Sequence, residues 1–493
     1  MSPHRQHHLA TVFLAATLLG SGLACQGSLP VGESPVQDSS IAPGTDAGTP
    51  GTDAGLNNDA PESPAPMDAA VKDARPPVDA TAKDASAPVD ATTPPPPPTD
   101  AAPAAPATLR MVFPISGVST AATVTARGTT DGKNVAKVTV NGTAATSADG
   151  FLTWKASVPL TTGSNVITAV LERSDASQLQ ASATVTRVAS DSAIKRGKLL
   201  AGVSLNLLGG SVDSHATAMY LADANMDGVL RVDIATGDQT WATCSEHANP
   251  CGEGPKNGVP FSQPMDVAVD EAHGRAFVID GQNVFAVDLS GQGGAKERTI
   301  VSGPEVSEAS YTPPTYAARG SGPLPRQFGS MSYDPVANVI YAVDWGMGND
   351  DPVGFFKIDP ETGDRQVIAT SGHGDLFRQI DLSTAKGALY VTTAYQSSLT
   401  LVAVADGKKT TGPSISEPQA LAASDALGAL FAVDKSGTLI AFEGAALTSR
   451  TLAHLGVGPG LSVGGGLVFI YDGALNGVAA FDPQSGERIV VSR

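Results

Sequence analysis

An all-β protein is expected from the sequence: a β-sandwich, then a six-bladed β-propeller, both behind a long unfolded segment. Three observations carry this expectation. A strand ending in an aromatic residue, two further residues and usually Asp recurs through 190–493. Residues 108–189 alternate short period-two strands with Gly-containing turn pairs. Residues 25–107 contain no Phe, Trp or Tyr and hold 17 of the 36 prolines.

Composition narrows the classes further. Of the 493 residues, 16% are charged, and 31 Lys and Arg face 49 Asp and Glu for a net charge of −18. Phosphate backbones need basic stripes, so no nucleic-acid partner is expected. Three cysteines are too few for a disulfide-dense scaffold or an all-cysteine zinc site. No apolar run reaches the ~18 residues of an ordinary transmembrane helix.

Residues 1–24 read as a signal peptide: a polar start with Arg5, an apolar run from Leu9 to Leu19, then small residues. Gly22-Leu23-Ala24-Cys25 resembles a bacterial lipobox, with Gly22 where Leu is usual. The resemblance implies that Cys25 becomes a lipidated N-terminus and the membrane a partner. Gly22 and Ala24 would also suit ordinary cleavage at the same bond, which would leave Cys25 an odd thiol in an oxidising compartment. More than one acyl chain is needed for stable anchoring, and the lipoprotein modification supplies it. Gln26 after the cysteine implies, by the same resemblance, a cell-envelope location at the outer membrane.

The 25–107 linker carries 12 acidic and 3 basic residues, half of the whole chain's net charge. Its Val-Asp-Ala and Lys-Asp-Ala repeats offer too little apolar surface to offset the entropy of ordering. It is expected to be a disordered spacer, roughly 50 Å end to end or more.

Between 108 and 189, strands are expected at Leu109–Phe113, Ala121–Ala126, Val135–Val140, Phe151–Val158, Ser164–Leu171 and Ala181–Arg187. Asp131-Gly132, Asn141-Gly142 and Asp149-Gly150 supply the turns. The run Val138-Thr139-Val140-Asn141-Gly142, then Asp149-Gly150-Phe151, then Val158-Pro159-Leu160 resembles the glucodextranase-domain-B type of bacterial Ig-like module. That resemblance implies an accessory Ig-like sandwich, a spacer or adhesion module. Trp154 reads as a core residue, with a sugar platform as the alternative.

In 190–493 the repeat markers are Tyr220, Phe277, Tyr341, Tyr390, Phe431 and Phe469. Their closest spacing is near the ~40 residues of a four-stranded propeller blade. Six copies predict six blades, and Leu199–Ala201 and Arg488–Val491 are candidates to close one blade together. Asp359-Pro-Glu-Thr-Gly363, Asp482-Pro-Gln-Ser-Gly486 and Gln263-Pro264-Met-Asp-Val-Ala-Val-Asp270 resemble NHL-type six-bladed propellers. The resemblance implies the fold; propellers host many activities.

Two insertions, Ala242–Ser262 and Ser302–Arg326, and the turn Trp345–Pro352 fall on one face of such a ring. Loops on rigid scaffolds carry sites, so Trp345, Asp350, Asp351, Tyr311 and Tyr316 are the candidate binding residues, with plain solvated decoration the alternative. Cys244 and Cys251 are expected to form a loop-closing disulfide; zinc with His247 would lack a visible fourth ligand. Asp223-Ala-Asn225-Met-Asp227-Gly228 begins like a calcium loop, but Ile234 stands where a Glu is needed, so a tight turn is expected.

Polar residues expected on or near innermost strands are Asp266, Gln379, Asp381 and Gln419. His373 and His454 precede innermost strands, while His215 and His273 fall in the turns after them, on the opposite face, which spoils a three-His site. The sequence therefore reads as a non-catalytic propeller that binds a protein or glycan, with no cofactor required. The rival reading is a lactonase or other hydrolase with a divalent calcium or zinc ion held by Asp266 and Asp381.

Overall fold

A computed structural model describes residues 108–200, 205–244, 259–290, 298–306, 316–345, 354–371, 377–393, 396–456, 458 and 460–493. The expected signal peptide, Cys25 and the 25–107 linker lie outside the described residues. Among the described residues the fold is nearly all β; the two helical pieces are single 3₁₀ turns, Asp191–Ala193 and Glu271–His273.

The first eight strands make two facing sheets: β1 (Leu109–Phe113), β2 (Gly117–Ser119), β3 (Thr123–Thr130), β4 (Val135–Val140), β5 (Thr143–Ala144), β6 (Thr153–Pro159), β7 (Gly163–Arg173) and β8 (Gln178–Arg187). One sheet runs β1-β3-β6 and the other β2-β8-β7-β4-β5. In β6 the residues alternate exposed and buried, sending Trp154, Ala156 and Val158 inward against Val138 and Ile167. Trp154 is 2% exposed, so it is core.

The remaining strands form six four-stranded blades, the last continuous with the second sandwich sheet through β2. Blade 1 is β9–β12 (Leu207–Val212, Ala218–Asp223, Gly228–Asp233, Gln239–Cys244), and blade 2 is β13–β16 (Pro264–Asp270, Arg275–Asp280, Asn283–Asp288, Arg298–Ser302). Blade 3 is β17–β20 (Phe328–Asp334, Val339–Asp344, Gly354–Ile358, Arg365–Thr370), and blade 4 is β21–β24 (Phe377–Ser383, Ala388–Thr393, Ser398–Ala403, Lys409–Ser414). Blade 5 is β25–β28 (Ala420–Ser424, Ala429–Val433, Thr438–Glu443, Thr448–His454), and blade 6 is β29–β32 (Leu461–Gly464, Leu467–Asp472, Gly477–Phe481, Arg488–Ser492). Each blade's first strand packs beside the first strand of the next, and β29 returns to β9. That closes a six-bladed ring around a central channel.

Ring closure differs from the expectation. Blade 6 takes all four strands from the C-terminal segment, and the described residues of the expected strand, Leu199 and Leu200, form no strand with it. The ends instead meet where Arg196 and Arg493 exchange two backbone hydrogen bonds of 3.0 Å. The outer edge of blade 6 is covered by the sandwich: β2 pairs with β32 through Val118 and Val490, and β8 lies parallel to β2. Sandwich residues Phe113, Trp154 and Ile167 belong to one apolar cluster with Met219 and Leu230 of blade 1 and Phe469 and Val478 of blade 6. The sandwich is thus packed over the seam where the ring closes.

The repeated Asp has a structural job. Asp223 Oδ1 accepts the N–H groups of Asn206, Asn225 and Met226 at 2.9–3.3 Å. Asp344 accepts Arg326 N–H at 2.9 Å, and Asp472 accepts Gly456, Ala474 and Leu475 N–H at 2.9–3.2 Å. Each sits at the end of a second strand and captures the chain entering the neighbouring innermost strand. The calcium-like run at Asp223 is therefore a capped turn, as expected, with Asp227 at φ 46°.

Candidate functional site

An innermost strand has hydrogen-bonded neighbours on one edge only, so its other edge presents unpaired N–H groups to the channel. Side chains from the preceding blade meet them. Ser462 Oγ of blade 6 accepts Val212 N–H of blade 1 at 3.0 Å. Asp266 Oδ2 of blade 2 accepts Met331 N–H at 3.0 Å and the Ser330 hydroxyl at 2.7 Å. Ser330 and Ser332 of blade 3 accept Ile380 and Leu382 N–H, both at 3.2 Å. Gln379 Oε1 and Asp381 Oδ2 of blade 4 accept Leu421 and Ala423 N–H at 2.9 and 2.7 Å. The two-residue spacing of these donors is the period of a strand edge.

The remaining oxygens are also engaged. Asp266 Oδ1 accepts Val267 N–H at 2.9 Å. Asp381 Oδ1 accepts Leu382 N–H at 2.8 Å and the Ser332 hydroxyl at 2.7 Å. Burial pushes the Asp266 carboxyl up to about 6 against the pull of its donors, and the charge of Asp381 adds to the rise. Asp381 is raised as well, first by burial and then by the charge of Asp425. The two metal candidates are brought to the same channel, but as blade-to-blade ties. Among the described residues no three His, Cys, Asp or Glu side chains group as metal ligands.

Above these ties the channel widens into a funnel of about 790 Å³. Its wall runs from the middle of the innermost strands to the turns that follow them, reaching Ser214, Glu271, Pro335, Thr384 and Asp425. The mouth therefore opens on the face opposite the one expected to be decorated. Loop length pointed to one face, whereas the concavity is built by short turns on the other. At the rim, Asp425 accepts the hydroxyls of Ser383 and Thr384, both at 2.6 Å, and Ala385 N–H at 2.9 Å. Burial pushes its carboxyl up, but these bonds outweigh it and hold it below the usual range.

Ser214, His215 and Glu271 also meet at the rim, a set that merits comparison with a hydrolase triad. Ser214 Oγ lies 3.1 Å from His215 Nδ1, and Glu271 Oε2 lies 3.3 Å from the same nitrogen. Ser214 also donates directly to Glu271 at 2.7 Å. A relay needs the acid on one ring nitrogen and the nucleophile on the other. Here both use Nδ1, so the cluster ties blade 1 to blade 2. His273 falls in the turn after its innermost strand, as expected, bonded to Asp270 at 2.8 Å, and His454 bonds Thr438 at 3.2 Å. His373 lies outside the described residues.

On the expected face, Tyr311, Asp350 and Asp351 lie outside the described residues. Tyr316 and Trp345 are half-buried: Tyr316 packs on the core between blades 1 and 2, and Trp345 on that between blades 2 and 3. The second insertion is partly a staple. Arg319 donates to Ile300 O and Glu361 O, and Ser302 Oγ donates to Gly363 O at 2.6 Å. The same joint recurs at the seam: Arg196 donates to Val491 O and Ala235 O, and Ser492 Oγ to Gly237 O at 2.6 Å. A repeated Arg-Gly pair, Arg196-Gly197 and Arg319-Gly320, was the available sequence signal. Cys244 is disulfide-bonded; its expected partner Cys251 lies outside the described residues.

No family model matches the chain, and no curated protein matches it. Among solved structures it is similar to a chain in the crystal structure of a nidogen/laminin complex, at 13% identity and a TM-score of 0.37, covering 59% of this chain and 93% of that one. It is also similar to a structural genomics protein of unknown function from Bacteroides thetaiotaomicron VPI-5482, at 14% identity and a TM-score of 0.42, covering 79% of this chain and 99% of that one.

Proposed function

We propose that this chain is a cell-envelope lipoprotein, anchored through lipid on Cys25, whose propeller binds a protein or glycan without catalysis. The lipobox-like Gly22–Cys25 run and the proline- and aspartate-biased segment behind it support the anchor and tether. The motifs of 108–189 and 190–493 support an Ig-like module ahead of an NHL-type propeller. The observation that carries the non-catalytic reading is the engagement of Asp266 and Asp381. Three hydrogen bonds engage both oxygens of each carboxylate, and at least one comes from the neighbouring blade. A metal ion would have to take oxygens that hold the blades together.

Elemental analysis of the full chain, dialysed without chelator, tests this. The expected result is no stoichiometric calcium or zinc, and none after calcium is added back. Near-stoichiometric metal that is lost in an Asp266→Asn/Asp381→Asn double variant would instead establish the lactonase-like reading. For the anchor, Cys25→Ser is expected to move the protein from the detergent phase to the aqueous phase on detergent partitioning. Unchanged partitioning would remove the lipid.

A further inference from the structure

We propose that the funnel takes the end of a neutral oligosaccharide. The inference rests on the binding reading above and names its ligand class. None of the described residues lining the funnel is Lys, Arg or His, while Asp266, Glu271, Asp381 and Asp425 all line it. An anionic ligand is therefore opposed by a one-signed field in a low-dielectric concavity.

A purely cationic ligand suits the carboxylates but leaves a donor of the wall unmet. Gln379 is 9% exposed and lines the funnel. Its Oε1 is occupied by Leu421 N–H, and its Nε2 meets no acceptor among the described residues. Ser462 accepts Val212 N–H, and its own hydroxyl proton has no acceptor there. Ser211 has no side-chain partner at all among the described residues. The Gln379 amide nitrogen can only donate, as can an ammonium or guanidinium, whereas the two serine hydroxyls can both donate and accept. Asp266 and Asp381 meanwhile each accept three bonds out of roughly four lone-pair sites, leaving one acceptor position apiece.

Unused donors and unused acceptors thus face one space. A sugar hydroxyl is both donor and acceptor, so a neutral polyol satisfies the two sets together. A sugar hydroxyl accepting from Gln379 Nε2 gives that donor the partner it lacks within the protein. The volume, about 790 Å³, lies inside the roughly 300–1,000 Å³ range of small-ligand sites.

The test presents the full chain to an array of neutral, amino-substituted and acidic oligosaccharides, then titrates a retained neutral glycan by calorimetry. Neutral members are expected to be retained. Ser211→Trp, which places an indole in the funnel, is expected to weaken binding at least tenfold. Ser211→Ala removes a hydroxyl with no internal partner and is expected to weaken it a few-fold without moving the melting temperature. Gln379→Glu keeps the acceptor for Leu421, removes the amide donors and is expected to weaken it about tenfold. Retention confined to amino or acidic glycans, no retention, or unchanged affinity in Ser211→Trp would overturn the proposal. If no glycan is retained but defined peptides from a peptide array are, and Ser211→Trp loses them, the sugar inference falls and the binding reading stands. Stoichiometric metal with lactone hydrolysis would overturn both.

Discussion

Arg127 of the sandwich and Asp482 of blade 6 form a buried ion pair, Nε to Oδ1 at 2.5 Å, with side chains 11% and 1% exposed. The same guanidinium donates to Gly466 O at 2.8 Å, so one side chain holds both the inner hairpin and the outer turn of blade 6. Removing one partner of such a pair leaves a buried charge uncompensated. Arg127→Met is expected to cost about 3 kcal/mol in urea unfolding at neutral pH, with sandwich and propeller still melting together. A loss near zero, or two separated transitions, would show that the two parts are independent.

Asp266 predicts a pH dependence. Its folded pKa, about 6, lies above the unfolded value of about 4. The carboxyl's contribution to stability is therefore complete below the unfolded value and is lost as pH rises through the folded one. Two units correspond to at most about 3 kcal/mol. Asp266→Asn has no such titration, so its stability relative to the parent is expected to improve between pH 4 and pH 7. Parallel unfolding profiles for the two proteins across that range would sink the idea.

Gly320 separates backbone strain from close contact. It has φ +77°, and a Cβ there would stand 1.8 Å from Gly363 O; Gly387 has φ +57° with nothing within 4 Å. A left-handed non-Gly residue costs about 1 kcal/mol or somewhat more. Gly387→Ala should show that alone. Gly320→Ala is expected to cost at least twice as much, because backbone oxygen must move. Equal melting temperatures for the two variants would mean that the Arg319 staple does not hold blades 2 and 3. The same staple means that excising 303–325 would remove a joint as well as a loop.

Cys244 predicts a redox dependence. Replacing it with Ser is expected to lower stability by about 2 kcal/mol or more and to make melting insensitive to reductant, whereas the parent falls on reduction. A parent whose melting does not respond to reductant would argue that the bridge constrains nothing.

Much of the ring was legible because its markers are local. Tyr220-Leu-Ala-Asp223 and its copies carry their own strand, turn and cap within a few residues. The funnel was not legible, because its ties join residues 42 to 65 positions apart, or 250 for Val212 and Ser462, and meet only once the ring has closed. Asp266 and Asp381 were found as inner-strand acids, but Ser330, Ser332 and Ser462 carry no sequence mark of their role. Glu271 was missed because it lies just past a strand end. The docking strand β2 spans three residues, Gly117–Ser119, too few for any alternation to show.

The cover that β2 and the shared core place over blade 6 also fixes a load path. Tension applied to the chain ahead of Leu109 enters the sandwich. It passes to the ring at the outermost strand, through the Val118–Val490 pairing and the Arg127–Asp482 contact, and at the inner hairpin, through Arg127 and Gly466 O. That hairpin leads directly out of β29, an innermost strand whose Leu461, Ser462 and Val463 line the funnel. Force on the sandwich is therefore felt at the funnel wall as well as at the outer strand.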